Sequence, residues 1–437
     1  MEQQSVRGVL VTAPDAVLMT SPHGASAAAE LSSSARPRLL FCARRPPFPL
    51  VTGARLRTHR LLTGLAEVFE TTFLTFEHHP ASPDGHVDPM ELRRLLPGIE
   101  VLLVAGCGPG KRLRQARSLV SARSWEYGRY QARAMREALE RLAAQQQPDI
   151  IHFDDLGVAQ HGPVAGPLNV YSAHNVEHRF LEGTARSSRG LRRRFAQIEQ
   201  RKVEPLERNA WHAMSLCLAC SEVDATIMRA GGARVLVCPN GADPVEPLPS
   251  PRREPEQPLR LLFIGAVNYR PNQLGLEWFV QKVLPRLRDR VTVAVDVVGS
   301  LPRKLPGARE VTLHGKVPSV HPFYERAHAV IVPVLYGSGT RLKVIEAMAY
   351  RRPVVATSAG AEGLPIHPEA HYHEADDPEV FAAALLTLAT QCERADHELE
   401  RMLDDARRAI EPLFWPTIAA ALTGAYLAES AALRAAR

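Results

Sequence analysis

Apolar and polar positions alternate along this chain with two periods. Short runs of β-branched and apolar residues, four to seven long, are separated by longer stretches in which apolar residues recur every three or four positions, the mark of buried strands alternating with helices. From Pro37 the pattern predicts a strand (Leu39 to Cys42), a proline-rich loop closing on Thr52 and Gly53, a helix from Ala54 to Val68 and a strand from Thr71 to Phe76. Glu100 to Val104, Asp149 to Gly157, Asn169 onward and the cysteine-bearing MSLCLACSE read as further strands. Between Pro244 and Pro258 six prolines interrupt any regular structure, and Arg252, Arg253, Glu254 and Glu256 are expected to keep the segment solvated. The alternation then restarts with LRLLFIGAV, a helix from Asn272 to Leu287, VTVAVDVVGS, VTLHGKV and a short helix from Val320 to Ala327. Strand, helix, strand order of this kind builds doubly wound parallel sheets, whose ligands lie over the carboxyl ends of the strands. The expected organisation is an extension over 1–36, mobile by its Ala- and Ser-rich composition, a first α/β domain over 37–243, a linker over 244–258, a second α/β domain over 259–412 and a final helix over 413–437.

One stretch concentrates the chemistry. VIVPVLYGSGTRLKVIEAMAYRRPVVATSAGAEGL, Val330 to Leu364, reads as strand, glycine loop, helix and strand. A glycine loop that opens a helix presents free N–H groups and a positive dipole end, which suits phosphate. Glu346 is the odd residue of that helix: Ile345, Ala347 and Met348 beside it are apolar, so its carboxylate is either solvated or aimed at a ligand. In the first half, Asp154 and Asp155 end one strand, and His174, Asn175 and Glu177 follow another, where parallel strands deliver functional groups. His174 either contacts a substrate hydroxyl or developing charge, or is a helix-entry histidine held by its neighbours. Gly53 either lets the backbone approach a substrate or serves its turn alone.

Composition changes this picture little. The 437 residues are 45% hydrophobic and 23% charged, ordinary for a globular chain of two domains. No apolar run approaches the roughly 20 residues of a membrane span. The six cysteines show no disulfide spacing, and Cys217 and Cys220 point to opposite faces of a strand, so a reducing cytoplasm fits and no metal site is expected. The net charge of +6 suits anionic ligands or an anionic membrane surface, and no basic tract, zinc spacing or RNA-binding signature points to nucleic acid. A basic region from Lys111 to Arg141, carrying Trp125, Tyr127 and Tyr130, reads as a helix that rests on anionic lipid, binds an anionic acceptor, or packs its aromatics inward behind a solvated face. Leu191 to His212 alternates charges, the usual sign of a solvated helix face. Neither domain's first strand leads into the dinucleotide fingerprint GxGxxG, which argues against a dinucleotide oxidoreductase.

The motifs carry a resemblance. VCPNGAD at the junction, LFIGAVNYRPNQLGLEWFV, DVVGS, VTLHGKV and GSGTRLKVIEAMAYRRPVVATSAGAEGL, with PFPLVTGARLRTHRLLTGLA, PDIIHFDD and SAHNVE in the first half, resemble the retaining glycosyltransferases of the GT-B fold, family 4, also called group 1 glycosyl transferases, and among them the bacterial polysaccharide-type sugar transferases. The resemblance runs from Pro37 to the C-terminus. It implies two Rossmann-like domains facing a central cleft, a nucleotide diphosphate sugar donor (UDP- or GDP-sugar), no required cofactor or metal, and a sugar transferred to a lipid-linked or small-molecule acceptor bound by the first domain. With the cysteine pattern it fits a cytoplasmic enzyme, and the basic helices of the first domain are the candidate place for peripheral contact at the inner membrane face. Glu346 matches the second glutamate of the family's paired motif and is expected on the ribose hydroxyls. The first glutamate is absent: Ser338 stands eight positions before Glu346, leaving Gly337, Ser338, Gly339 and Thr340 to meet the donor through backbone N–H groups. The family's usual diphosphate cations are replaced by Ala266 and the segment from Tyr269 to Asn272, so Arg341, Lys343 and Arg270 are the expected substitutes, with a surface salt bridge as the other reading of Arg341. Gly53 is expected to face the diphosphate across the cleft, His174 to lie near the donor sugar, and the last helix to return to the first domain. Two alternatives remain beside transfer: another GT-B chemistry, such as an epimerase or phosphorylase, and a non-catalytic sugar-nucleotide-binding member.

Overall fold

The computed structural model describes residues 36–436 except 51, 78–87, 106–114, 117, 301–307 and 337–340. The extension expected to be mobile therefore lies, apart from Arg36, outside the described residues, as do Gly337, Ser338, Gly339 and Thr340.

Two parallel sheets carry the molecule. The first contains β1 (Arg38–Ala43), β2 (Glu70–Phe76), β3 (Glu100–Val104), β4 (Ile150–Asp154), β5 (Leu168–Ser172), β6 (Leu216–Ala219) and β7 (Val235–Val237), in the order β3-β2-β1-β4-β5-β6-β7. The second contains β8 (Leu259–Ile264), β9 (Val293–Val298), β10 (Val311–Gly315), β11 (Ala329–Val332), β12 (Val354–Ala356) and β13 (His373–Glu374), in the order β10-β9-β8-β11-β12-β13. Both orders reverse direction once, between β1 and β4 and between β8 and β11. At such a switch point neighbouring loops diverge and leave a crevice over the strand ends. The register of β1 on β4 sets Ala43 opposite Asp154, so that crevice is floored by the residues just beyond both. Apart from their exposed first residues, β1 and β2 are buried throughout, which is why these strands read as continuous apolar runs.

The helices named below are α1 (Gly53–Ala66), α2 (Arg133–Gln146), α3 (Glu177–Arg186), α4 (Gly190–Ala213), α5 (Glu222–Ala230), α6 (Arg270–Trp278), α7 (Leu342–Ala349), α8 (Pro378–Arg394), α9 (His397–Ile410) and α10 (Trp415–Ala435). α10 places Trp415, Ile418, Leu422 and Tyr426 in the core of the first sheet. It lies against α1 at Gly64, where a Cβ would come within 2.5 Å of the Ala419 Cβ. No helix among the described residues is long and apolar enough to cross a membrane.

Several elements differ from the sequence pattern for local reasons. β11 stops at Val332 because Pro333 has no N–H to continue the ladder. The single helix expected from Asn272 to Leu287 is α6, a π-turn over Phe279–Val283 and a short helix from Leu284. Gly275 lets α6 lie on the end of β11, since a Cβ there would meet the Pro333 carbonyl oxygen at 2.0 Å. The helical tail breaks between α8 and α9, where Ala395 takes a left-handed cap (φ 58°).

Three expectations about charge are corrected. The basic region is not one helix: Tyr127 and Tyr130 are buried in the core before α2 begins, and Arg129 is buried against Glu126 and over the Tyr130 ring. α4 is not wholly solvated, because Glu199 and Glu207 are buried. Arg253 in the proline-rich segment is buried too, paired with Glu393, while Arg352 reaches the Pro249 carbonyl at 2.7 Å. For Glu199, Glu207 and Arg253 a distant segment supplies a partner that a sequence window cannot contain. Cys217 and Cys220 are buried free thiols directed to different carbonyls, those of Trp211 and Ala173.

Candidate active site

The first-half wall starts at the end of β4. Asp154 is buried, accepts from the Thr58 hydroxyl of α1 at 2.5 Å, and lies 2.8 Å from Nε2 of His174, the residue that follows β5. Burial alone would raise the Asp154 carboxyl, but the charge and hydrogen bond of His174, with the His152 ring 3.7 Å away, outweigh it and hold it well below the usual carboxylate range. Behind Asp154, His152 stacks on Phe41 at 4.2 Å and meets the Tyr426 hydroxyl of α10 at 2.6 Å, and burial pushes its imidazole down. Asp155 stands at φ 114°, in a region that disfavours a side chain, and so costs backbone energy. Its carboxylate accepts from the Gly157 N–H and pairs with Arg44 at 2.9 Å.

α3 enters the same wall through a cap supplied from far along the chain. Glu207 of α4 accepts from the N–H groups of Glu177 at 2.8 Å and His178 at 3.2 Å, and from the His178 ring at 2.7 Å. An anionic acceptor at a helix N-terminus satisfies donors that the helix leaves open. Glu177 is consequently buried near Asp155 and Glu207, and burial, then those two charges, push it up to about 7.

The second-half wall is built on α7 and the end of β8. Lys343 donates to Asn272 Oδ1 at 2.9 Å and stands 4.4 Å over the Phe263 ring. Gly265 (φ 149°) makes the room, because a Cβ there would lie 2.9 Å from both Lys343 Nζ and Asn272 Nδ2. Burial, and then the charge of Arg341, bring the Lys343 amine down to about 7. Arg341 occupies the cap position of α7, is buried, and donates from Nε to the Ala359 carbonyl at 3.2 Å. Burial lowers it, while Tyr269, Glu362 and Asp224 of α5 act in the opposite sense. Glu346 accepts from the Tyr324 hydroxyl at 2.9 Å, and Tyr324 in turn stacks on Tyr350 at 4.3 Å. Burial pushes the Glu346 carboxyl up to about 7; the Tyr324 hydrogen bond opposes that and Asp243 adds to it.

The two walls meet. Gly53 is the first residue of α1, and a Cβ on it would come within 2.6 Å of the Leu342 side chain at the start of α7, so the two helix N-termini converge. Phe180 of α3 stacks on Tyr269 at 6.1 Å, and Arg57 of α1 donates to the carbonyls of Cys238 at 2.8 Å and Pro239 at 2.9 Å, just beyond β7. His174 is thus joined to Asp154, and Lys343, Arg341 and Glu346 to one helix, with Gly53 facing that helix. Arg270 opens α6 two residues before Asn272. Sequence reasoning passed over Arg44, Thr58, Asn272 and Glu207 as functional residues. Thr58 and Glu207 carry no local signal, whereas Asn272 lies in a segment already singled out. Among the described residues no group of three or more His, Cys, Asp or Glu side chains is arranged to hold a metal ion.

The comparisons bear on this geometry. Residues 51–246 match a family model described as glycosyltransferase family 4, and residues 258–391 one described as glycosyl transferases group 1. A search of curated protein sequences found no match. Among solved structures, sucrose-phosphate synthase from Thermosynechococcus elongatus aligns over 90% of this chain and 100% of its own, with 16% identity and a TM-score of 0.67. HepE from Anabaena, in complex with UDP and glucose, aligns over 90% of this chain and 99% of its own, with 14% identity and a TM-score of 0.61. WaaG, a glycosyltransferase involved in lipopolysaccharide biosynthesis, aligns over 88% and 99%, with 16% identity and a TM-score of 0.59. At these identities the structural likeness is one of fold. With both halves matched and two parallel sheets of one topology meeting at their strand ends, the chain belongs to the GT-B glycosyltransferases of family 4, group 1.

Proposed function

We propose that this glycosyltransferase moves a sugar, a hexose or a close relative, from a nucleoside diphosphate sugar to an acceptor, with retention at the anomeric carbon. The half over 259–412 holds the donor, and the half over 37–243 holds the acceptor. The observation that carries this is the face of α7. Lys343 and Glu346 stand three residues apart, and so lie side by side on one helix face, roughly 5–6 Å between Cβ atoms. That spacing suits a nucleotide laid along the helix, with ribose hydroxyls on the Glu346 carboxylate and diphosphate on Lys343, Arg341 and the helix N-terminus. A carboxylate accepts from two vicinal hydroxyls at once, and buried cations stabilise the charge that grows on a leaving diphosphate.

In the proposed step the anomeric C–O bond to the diphosphate breaks as the acceptor hydroxyl bonds to the same face of the sugar. The departing phosphate oxygen takes the hydroxyl proton, and no protein nucleophile takes part. His174, its Nε2 engaged by Asp154, stands near the donor sugar. UDP-sugars are the first donors to try, since HepE is described in complexes with UDP and with UDP-glucose. The setting that fits is glycoconjugate synthesis on the cytoplasmic side of a membrane, with an acceptor that is either lipid-linked or free.

The test is calorimetric titration of UDP and GDP into wild type and Glu346→Ala, followed by a donor-turnover assay. Loss of at least about tenfold in affinity for the accepted nucleotide is expected, the scale of a charged hydrogen bond. Equal binding and turnover in the two proteins would remove the ribose role of Glu346.

A further inference from the structure

The loop that leaves β1 runs Ala43, Arg44, Arg45, Pro46, Pro47, and its two prolines are buried. It forms one side of a narrow recess completed by Ala54, Arg55, Thr58, Asp154, Asp155 and His174. Three guanidinium groups and two carboxylates line that recess, and both carboxylates are already engaged. Asp154 is held by Thr58 and His174, and Asp155 by Arg44 and the Gly157 N–H. Arg44 is held further by Glu126 at 3.5 Å and by the Tyr127 and Tyr130 rings, and Arg55, 6% exposed, donates to the Pro49 carbonyl at 3.1 Å.

Arg45 is different. It makes no hydrogen bond or ion pair to any described residue, is half-buried, and has Arg44, Asp155 and Arg55 as its charged neighbours. Burial, and then the charge of Arg44, bring it down to about 10, with Asp155 acting in the opposite sense. Asp155 is already paired with Arg44, so a half-buried guanidinium with two like charges nearby and no ion pair of its own has donors left for a further anion. The planar fork of a guanidinium matches phosphate oxygens in pairs. The recess opens beside His174, in the half assigned to the acceptor.

We propose that Arg45 anchors a phosphate group carried by the acceptor, so that this enzyme glycosylates a phosphate ester rather than a neutral sugar. This rests on the acceptor role proposed above for residues 37–243. The phosphate is either on a soluble sugar phosphate or on a lipid headgroup, the same chemistry from two sources. Arg45 neutralises the ester, Arg44 and Arg55 add to the field around it, and the acceptor hydroxyl is directed past His174 toward the donor.

The test has two arms, each run with and without saturating UDP. In the first, hexose monophosphates and the matching free hexoses are titrated by calorimetry into wild type, Arg45→Gln and Arg45→Lys. In the second, the same proteins are sedimented with phosphatidylcholine vesicles with and without a polyprenyl phosphate. The expected result is that one phosphate-monoester source binds at least about tenfold tighter than its counterpart lacking the monoester, that Arg45→Gln abolishes the preference, and that Arg45→Lys keeps part of it. A preference in the first arm identifies a soluble acceptor, and one in the second a lipid-borne acceptor. No preference for either source in wild type, or an undiminished preference in Arg45→Gln, would overturn the proposal. UDP binding, read in the same titrations, reports folding of each variant. Failure of wild type to bind any nucleotide would count against the donor site and leave the phosphate comparison to decide on Arg45.

Discussion

The two walls of the cleft treat their buried charges in opposite ways. In the first half Asp154 is surrounded by Thr58, His174 and His152, and its carboxyl is held far down; Asp155 has Arg44. In the second half, among the described residues, Lys343 meets a neutral amide and an aromatic ring and Glu346 a tyrosine hydroxyl, and burial moves each toward about 7, its less charged form. A pre-formed network holds its side chains in one geometry whether or not a ligand is present. Buried ionisable groups without counter-ions are instead unfavourable until a ligand supplies what is missing. The first wall is therefore electrostatically complete as folded, whereas the second is the wall that the proposed donor would complete.

Breaking the scaffold carries the largest expected effect. Asp154→Ala leaves His174, Thr58 and His152 without their common partner, and thermal or urea unfolding should show a loss of about 3–5 kcal/mol, the cost of removing one member of a buried pair. A loss below about 1 kcal/mol would mean that the network is not the structural element described here. The same residue sets a pH dependence. Because its folded pKa lies below the unfolded value, its stabilisation is complete above the ordinary aspartate range and is lost as pH falls through the lower folded value. The stability difference between wild type and Asp154→Ala should accordingly shrink as pH drops below about 4.

Lys343→Met tests the other wall. It removes a charge that acts only when donor is present, so kcat/KM for donor turnover should fall roughly a hundredfold while stability changes little or rises. An equally large loss of stability would assign Lys343 to structure instead.

Tyr324→Phe is milder. It removes the hydroxyl that Glu346 accepts from, and nucleotide affinity should fall about fivefold, near 1 kcal/mol, if Tyr324 positions the carboxylate.

The finest distinction is in protons. With Lys343 and Glu346 both near 7 in the free protein, binding of a nucleotide sugar should take up protons at pH 8, where the diphosphate recharges Lys343. At pH 6 it should release them, as ribose hydroxyls favour the ionised Glu346. Calorimetry in buffers of different ionisation enthalpy reads the sign, and no reversal between pH 6 and 8 would break the contrast between the walls.

Much of the fold follows from local pattern. The runs from Leu39 to Cys42 and from Glu100 to Val104 are strands in the structure, and the helix carrying Glu346 was legible as a helix with one carboxylate among apolar neighbours. The strand ends at Asp154 and before His174 were expected at the functional edge, because parallel sheets deliver side chains there, and the structure joins the two residues. What sequence could not show is which charges are buried. Glu199 and Glu207 sit in an alternating-charge helix no different in pattern from a solvated one, yet Glu207 caps α3 some 30 residues upstream. Arg253 is likewise indistinguishable from Arg252 until Glu393 is placed beside it.

By itself, then, the amino-acid order determined the alternation of strands and helices, the division at the proline-rich stretch and the single carboxylate of Glu346 in an apolar helix, since these depend on residues a few positions apart. Tertiary structure alone decided the partners: Asn272 for Lys343 across 71 residues, Thr58 for Asp154 across 96, and Tyr426 for His152 across 274. Charge state at this site is a property of those partners and of burial, and both exist only once the two sheets and the returning helix have packed together.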